Sequence, residues 1–333
     1  VATYYVKNGG SDFADGTSDA NAWETLNWAR QQTYTSGDHI LLKRGSTFNA
    51  ALILTGAARN GTVWGAYGTG ARPIVNSSSS SSISITSVAN LTVQDLLVTG
   101  ANANGIGIGD GATGILVQRV EVRDSPNDCF HMDGTSDAVF RDIMGTGAGD
   151  DCFSQHSDTT AEIIGGVFAN SVNGINNIDN SILRVSGLTI VDCSARGVQL
   201  TNADANWRRG KATLWGCFIR DCVLNVEVEE DFMCELHRCL ISGGTHGVKC
   251  YGEGTVLIER CDIDSALGVW IAGSGLVKAR GCSIIGDTYG VQHTGTAPLE
   301  LVESVVTGVT DSLVVSGSPQ LYLSGNTYSP AYP

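Results

Sequence analysis

Apolar and polar residues alternate one for one in short runs along most of the chain, as in Gln118-Arg119-Val120-Glu121-Val122. A period of two is the mark of a strand with one face in a core, and clusters of Gly, Asn, Asp and Ser between the runs mark turns. The runs recur. Segments open at Asn104, Asn127, Asp150, Asn173 and Arg196 in steps of 23 residues, then at Leu224, His246, Leu267 and Tyr289 in steps of 22, 21 and 22. A second signature recurs within each repeat: Val120, Ile143, Val167, Leu188, Cys217, Cys239, Cys261 and Cys282. The one long segment predicts a loop inserted over residues 202–211. Crossovers this short leave no room for helices, which excludes a doubly wound sheet. Equivalent residues stacked ~4.8 Å apart predict an all-β, single-stranded parallel β-helix of about 22–23 residues per rung. The handedness rule for parallel crossovers makes it right-handed.

The first 80 residues break the pattern. Residues 22–30 have amphipathic helical spacing after Asp19 as N-cap, which predicts a short helix covering the open end of the coil. The expected organisation is an N-terminal cap with the first rungs over 1–80 and one continuous β-helix over 81–333. Asp12, Asp15 and Asp19 fit no calcium-loop spacing and are read as solvated turns. The serine run 77–82 is read as a loop before the rung holding Ile83 and Ile85.

Composition narrows the chemistry. With 42 glycines but 6 prolines among 333 residues, the chain is neither collagenous nor proline-rich and disordered, and 16% charged residues are too few for helical bundles. A net charge of −14 argues against nucleic acid as a partner. No apolar run reaches the ~18 residues of a membrane span. No apolar leader opens the chain, and its start at Val1 suggests that an upstream segment was trimmed. The ten cysteines follow the register: Cys217, Cys239, Cys261 and Cys282 form one column continued by Ser304 and Asn326, while Cys129 stacks with Cys152 and Cys193 with Cys222. A rung spacing of ~4.8 Å exceeds the ~3.8 Å between disulfide-bonded Cβ atoms, so stacked free thiols are expected, as in a protein folded under reducing conditions.

If Cys129 and its equivalents point inward, the flanking positions form outward columns. The first holds Asp128 and Asp151; the second reads Phe130, Phe153, Asn176, Gln199, Glu227, Lys249, Trp270 and Gln292; a third includes Met132, Gln155, Thr201, Glu229 and Tyr251. Such a face suits an elongated carbohydrate, with Phe130, Phe153 and Trp270 as sugar platforms and Asp133, Asn176, Gln199, Lys249 and Tyr251 as further substrate contacts. Asp128, Asp150 and Asp151 fall together. Carboxylates this close cannot all ionise cheaply, which divides them into an acid and a base or nucleophile; the structural alternative is corner aspartates that bond backbone amides. His156, aligned with Asp133 at a strand end, is a secondary acid/base candidate, whereas His131 is placed in an inward column as a core histidine.

The opening segments 4–10, 15–18, 22–26, 37–45 and 65–68, together with the repeats, resemble the pectate-lyase-like superfamily of right-handed β-helix proteins, which includes bacterial enzymes and phage tail proteins. Gly149-Asp150-Asp151-Cys152, one rung after Asn127-Asp128-Cys129, resembles the Asp-Asp-Cys rung of the polygalacturonase family. That resemblance implies an acid and a water-activating base at Asp150, Asp151 and, loosely, Asn127 or Asp128. The next rung carries Asn173-Gly174 where that family has His-Gly, and its Arg-x-Lys has no counterpart, so pectin is not implied as the substrate.

These readings predict a polysaccharide-degrading glycoside hydrolase with Asp151 and Asp128 as the acid/base pair, Asp150 as water-positioning base or pKa modulator, and no required cofactor. The alternative is a polysaccharide lyase in which Glu227 and Glu229 hold a Ca2+ ion that neutralises a uronate, below Lys249 and Tyr251; a Glu227–Lys249 ion pair accounts for the same residues without chemistry. A non-catalytic carbohydrate-binding phage tail adhesin is the third reading. The expected partner is a polysaccharide, with neither nucleic acid nor membrane, in a monomer or a phage-spike-like trimer that works outside the cell or on a virion.

Overall fold

The computed structural model describes residues 1–201, 210–316 and 319–330, so most of the expected insertion at 202–211 lies outside the described residues. The chain divides into two compact units, Val1–Val167 and Phe168–Pro333, each built almost entirely of short parallel strands. Among the described residues, no helix is long and apolar enough to cross a membrane.

In the first unit three parallel ladders run side by side. One stacks Thr3–Val6, His39–Lys43, Val63–Tyr67, Thr92–Gln94, Ile115–Gln118 and Asp137–Thr146. A second stacks Leu52–Thr55, Ser81–Thr86, Asn104–Ile108, Phe130–Met132 and Asp151–Gln155. The third contains Thr47–Phe48, Ile74–Asn76, Leu97–Thr99 and Glu121–Arg123. The second unit repeats the plan from Asn173–Ile178, Ile182–Ser186 and Thr189–Val191 onward, with each strand paired in parallel to its equivalent one turn later. Core columns follow the predicted interval there: Ile175 pairs with Val198, Val226 with Val248, and Val269 with Val291, all at most 2% exposed.

The first unit departs from a strict 23-residue count. Ile85 pairs with Ile108 and Val93 with Val117, so the connection is eight positions long on the earlier rung and nine on the later one. The extra residue lies in the turn after Ile108. It places Phe130, not Cys129, on Ile106, and Phe153 follows in register on Phe130. Phe130 and Phe153 are therefore interior side chains, both 0% exposed, packed edge-on against Phe140 at centroid distances of 5.7 and 5.1 Å. The expectation that they form sugar platforms is corrected by this register. Met132 and Gln155 are buried with them, and His131, expected inward, faces out. Replacing Phe140 with alanine removes the ring between both phenylalanines and is expected to cost about 3–5 kcal/mol, read as a lowered denaturation midpoint.

The expected helix over 22–30 shrinks to a single turn, Leu26–Ala29, and a 3-10 turn forms at Ala57–Arg59. Asp19 does not cap it. Thr25 does, accepting the Trp28 N–H at 3.1 Å, while Asp19 accepts bonds from Lys43 and Tyr67 that hold its carboxyl at about 2. Trp23 and Leu26 are nonetheless buried, Trp23 stacked on Tyr4.

All ten cysteines are buried free thiols. The predicted column carries backbone hydrogen bonds: the Cys239 N–H donates to Cys261 Sγ at 3.4 Å, Cys282 N–H to Ser304 Oγ at 3.2 Å, and Ser304 N–H to Asn326 Oδ1 at 3.0 Å. Sulfur, hydroxyl and amide thus play one part, accepting the turn amide of the preceding rung. Burial pushes the Cys250 thiol up to about 12, which keeps it inert.

Candidate active site

In the first unit the turn after Glu121–Arg123 delivers Asp128, and the next rung delivers Asp150 and Asp151. Backbone bonds fix the rungs: Asn127 N–H donates to Ala103 O at 3.0 Å and Asp150 N–H to Asn127 O at 3.1 Å. Gly149 allows this approach, because a Cβ there would stand 2.1 Å from Pro126 O. One carboxylate oxygen from each of Asp128, Asp150 and Asp151 lies within 4.8 Å of the others. Asp128 and Asp151 are buried, at 6% and 2% exposure, while Asp150 is exposed.

Asp128 is held at both oxygens. Oδ1 accepts the Asp151 N–H at 3.2 Å, and Oδ2 lies 2.9 Å from His131 Nδ1. Strand alternation between buried Phe130 and Met132 turns the His131 ring outward, and the paired Ser154 hydroxyl bonds His156 Nε2 at 2.7 Å. The two imidazole centroids are 5.3 Å apart. Burial raises the Asp150 carboxyl above its ordinary value and the charge of Asp128 raises it further, with His156 acting in the opposite sense. The residue as a whole is exposed, so solvent screens part of the repulsion. The group can share a proton or gather a cation, and Asp150 is its exposed member, with a carboxyl raised above the ordinary value. Of the expected site residues, Asp128, Asp150, Asp151 and His156 come together here, and His131 joins them. Asp133 belongs to a neighbouring exposed turn, where it accepts bonds from Gly134 N–H and Ser157 Oγ.

The second unit carries the other expected face, and its register is as predicted. Asn176, Gln199, Glu227, Lys249, Trp270 and Gln292 stack in one outward column. Glu227 is 1% exposed and accepts from Lys249 Nζ at 2.7 Å and from Arg196 Nε. Burial pushes its carboxyl up, but the two cations outweigh this and leave it below the ordinary value. Its charge is thus met by protein cations. Glu229 accepts from Thr201 Oγ1 at 3.0 Å and Gln199 Nε2 at 3.4 Å. Burial and the Glu229 bond raise the Tyr251 hydroxyl well above its usual value. Lys249 Nζ sits 4.7 Å from the Tyr251 ring centroid and 5.2 Å from that of Trp270, which approaches the His246 ring at 5.3 Å. Sequence reasoning missed Arg196; the signal was a cation two positions before core Val198, in a column shared with Leu224 and His246.

Residues 208–328 match the family model described as the right handed beta helix region. No curated protein matches the chain. Among solved structures, the A-module of a mannuronan C-5 epimerase from Azotobacter vinelandii is similar at 18% identity and a TM-score of 0.70, covering 89% of this chain and 92% of that one. XylC, in its complex with xylose, is similar at 9% identity and 0.61, covering 97% and 86%. A rhamnogalacturonan lyase is similar at 12% identity and 0.53, covering 97% and 87%. At these identities the likeness concerns architecture, and with the parallel ladders it gives the fold: a right-handed parallel β-helix.

Proposed function

We propose that this chain acts on a polysaccharide and cleaves it as a glycoside hydrolase at Asp128, Asp150 and Asp151. The observation that carries this reading is an exposed Asp150 with a raised pKa, within 4.8 Å of two further carboxylates. The similar folds of carbohydrate-active proteins support it. Asp150 takes the role of general acid, giving its proton to the glycosidic oxygen as the bond to the anomeric carbon breaks. Asp128, oriented by His131 and the Asp151 N–H, is the charged partner that stabilises or attacks the developing oxocarbenium centre. This exchanges the roles expected for Asp150 and Asp151, because Asp151 is the more deeply buried. The spacing lies nearer the ~5–5.5 Å of double displacement than the ~6.5–9.5 Å that admits a water in single displacement. Retention of anomeric configuration, followed by proton NMR of the fresh product, is expected; inversion would require a wider pair.

A second reading, β-elimination from a uronate, is favoured by the two imidazoles beside the carboxylates, either of which suits proton abstraction next to a carboxylate. Of the two residues expected to hold Ca2+ in a lyase, Glu227 would be available to an ion only after giving up Lys249 and Arg196. A screen of acidic and neutral polysaccharides, reading reducing ends together with the ultraviolet absorbance of an unsaturated product, separates the two. Reducing ends alone are expected. Both signals together would establish elimination, and binding with neither signal would make the protein an adhesin.

A further inference from the structure

A polar cleft of about 600 Å³ in the first unit is unaccounted for by the aspartate site. Asn27, Arg30, Asn49, Asn76, Ser78 and Ser79 line it, and the remaining lining is small or apolar. In a chain of net charge −14, no carboxylate among the described residues lines it. Arg30 follows the single helical turn, and its Nε is buried without a hydrogen-bond partner among the described residues. Arg30 lines a cleft of amides and hydroxyls, so its guanidinium is a cation with no anionic acceptor among the described lining residues. The planar fork of arginine matches a carboxylate through two parallel bonds, and Asn and Ser side chains match sugar hydroxyls.

The cleft is in register with the aspartates. Asn102 N–H donates to Ser79 O at 2.9 Å and Ala103 N–H to Ser80 O at 3.1 Å; Asn127 N–H then donates to Ala103 O, and Asp150 N–H to Asn127 O. Ser79 and Asp150 thus lie three rungs apart on one line of turns, about 14 Å at the rung spacing. A monosaccharide cannot touch both; a polymer laid along the turns can. We infer that this cleft is a distal subsite that binds a uronate carboxylate of the polysaccharide, with Arg30 as its specificity-determining residue. The inference rests on the reading that the chain acts on a polysaccharide, and it names the substrate class as uronate-bearing. It also supplies local positive charge by which an acidic protein can hold an acidic polymer.

The test uses Asp150→Asn protein, titrated calorimetrically with oligomers of galacturonate, glucuronate, mannuronate and guluronate, each beside its carboxyl-reduced counterpart. At least one acidic oligomer is expected to bind about tenfold or more tightly than its reduced form, and Arg30→Gln in the same background is expected to erase that difference. Arg30→Lys, which keeps the charge but not the fork, should fall between them. Unchanged melting of both variants, expected because Nε has no partner to lose, separates lost recognition from lost fold. In otherwise wild-type protein Arg30→Gln should raise KM for long chains and leave kcat unchanged. Equal binding of acidic and reduced oligomers, indifference to Arg30→Gln, or no binding by any acidic oligomer overturns the inference. If no reducing ends appear with any polymer while Arg30-dependent binding persists, hydrolysis fails and the subsite stands.

Discussion

Asp150→Asn is expected to abolish most turnover while making the protein more stable at neutral pH. A general acid contributes about 10²–10⁴ in rate, and asparagine cannot donate the proton. Stability moves the other way because the folded pKa of Asp150 lies above its unfolded value, raised by burial and by Asp128. Between the two values the folded chain holds more protons than the unfolded one, so stability falls as pH rises through the folded pKa and stays reduced above it. The variant lacks that penalty. Its advantage in melting temperature should be largest above the folded pKa and vanish as pH falls toward the ordinary aspartate value of 3.8. An Asp150→Asn protein that is inactive but no more stable would leave Asp150 without the proposed electrostatic history. One that keeps full activity would remove it from the chemistry.

The second large effect concerns Glu227. Replacing both Arg196 and Lys249 with methionine leaves a carboxylate of 1% exposure without either cation, and a loss of about 3–5 kcal/mol is expected. Adding Glu227→Gln should restore much of it, since the cost comes from the stranded charge and not from the missing cations. The pH profile should reverse sign. In the natural protein Glu227 has a lowered pKa, so its contribution is present above the unfolded value of 4.5 and is lost as pH falls through the folded pKa. In the double variant burial alone acts, the pKa rises, and acidification becomes stabilising around that residue. Denaturation midpoints of the three proteins across pH test both the size and the sign.

Much of this molecule could be read without coordinates. Side chains that repeat every 21 to 23 residues in a parallel stack, with one longer step across the insertion, must share a column, and the column from Asn176 to Gln292 and the cysteine line to Asn326 both follow from counting. The aspartate cluster was visible because two rungs each present Asp at a turn. What escaped was anything depending on turn length. Counting 23 from Asn104 assigns Cys129 to the strand core, and the longer turn after Ile108 gives that place to Phe130. The error exchanged two phenylalanines for sugar contacts and hid His131, the residue that orients Asp128. Asp19 escaped differently: a cap signature in sequence was outcompeted by Lys43 and Tyr67, which arrive from distant strands.

The longer turn after Ile108 has an implication for grafting and evolution. A solenoid has a phase as well as a period, and one added residue advances the phase of the rungs that follow it within this unit. His131 and Asp128 lie downstream of that advance and are tuned to it. A chimera that joins foreign rungs upstream of Ile115 will keep the aspartate site only if the junction carries the same phase, however closely its amino acids match. Insertions and deletions, more than substitutions, are therefore the events by which such a coil gains, moves or loses a site.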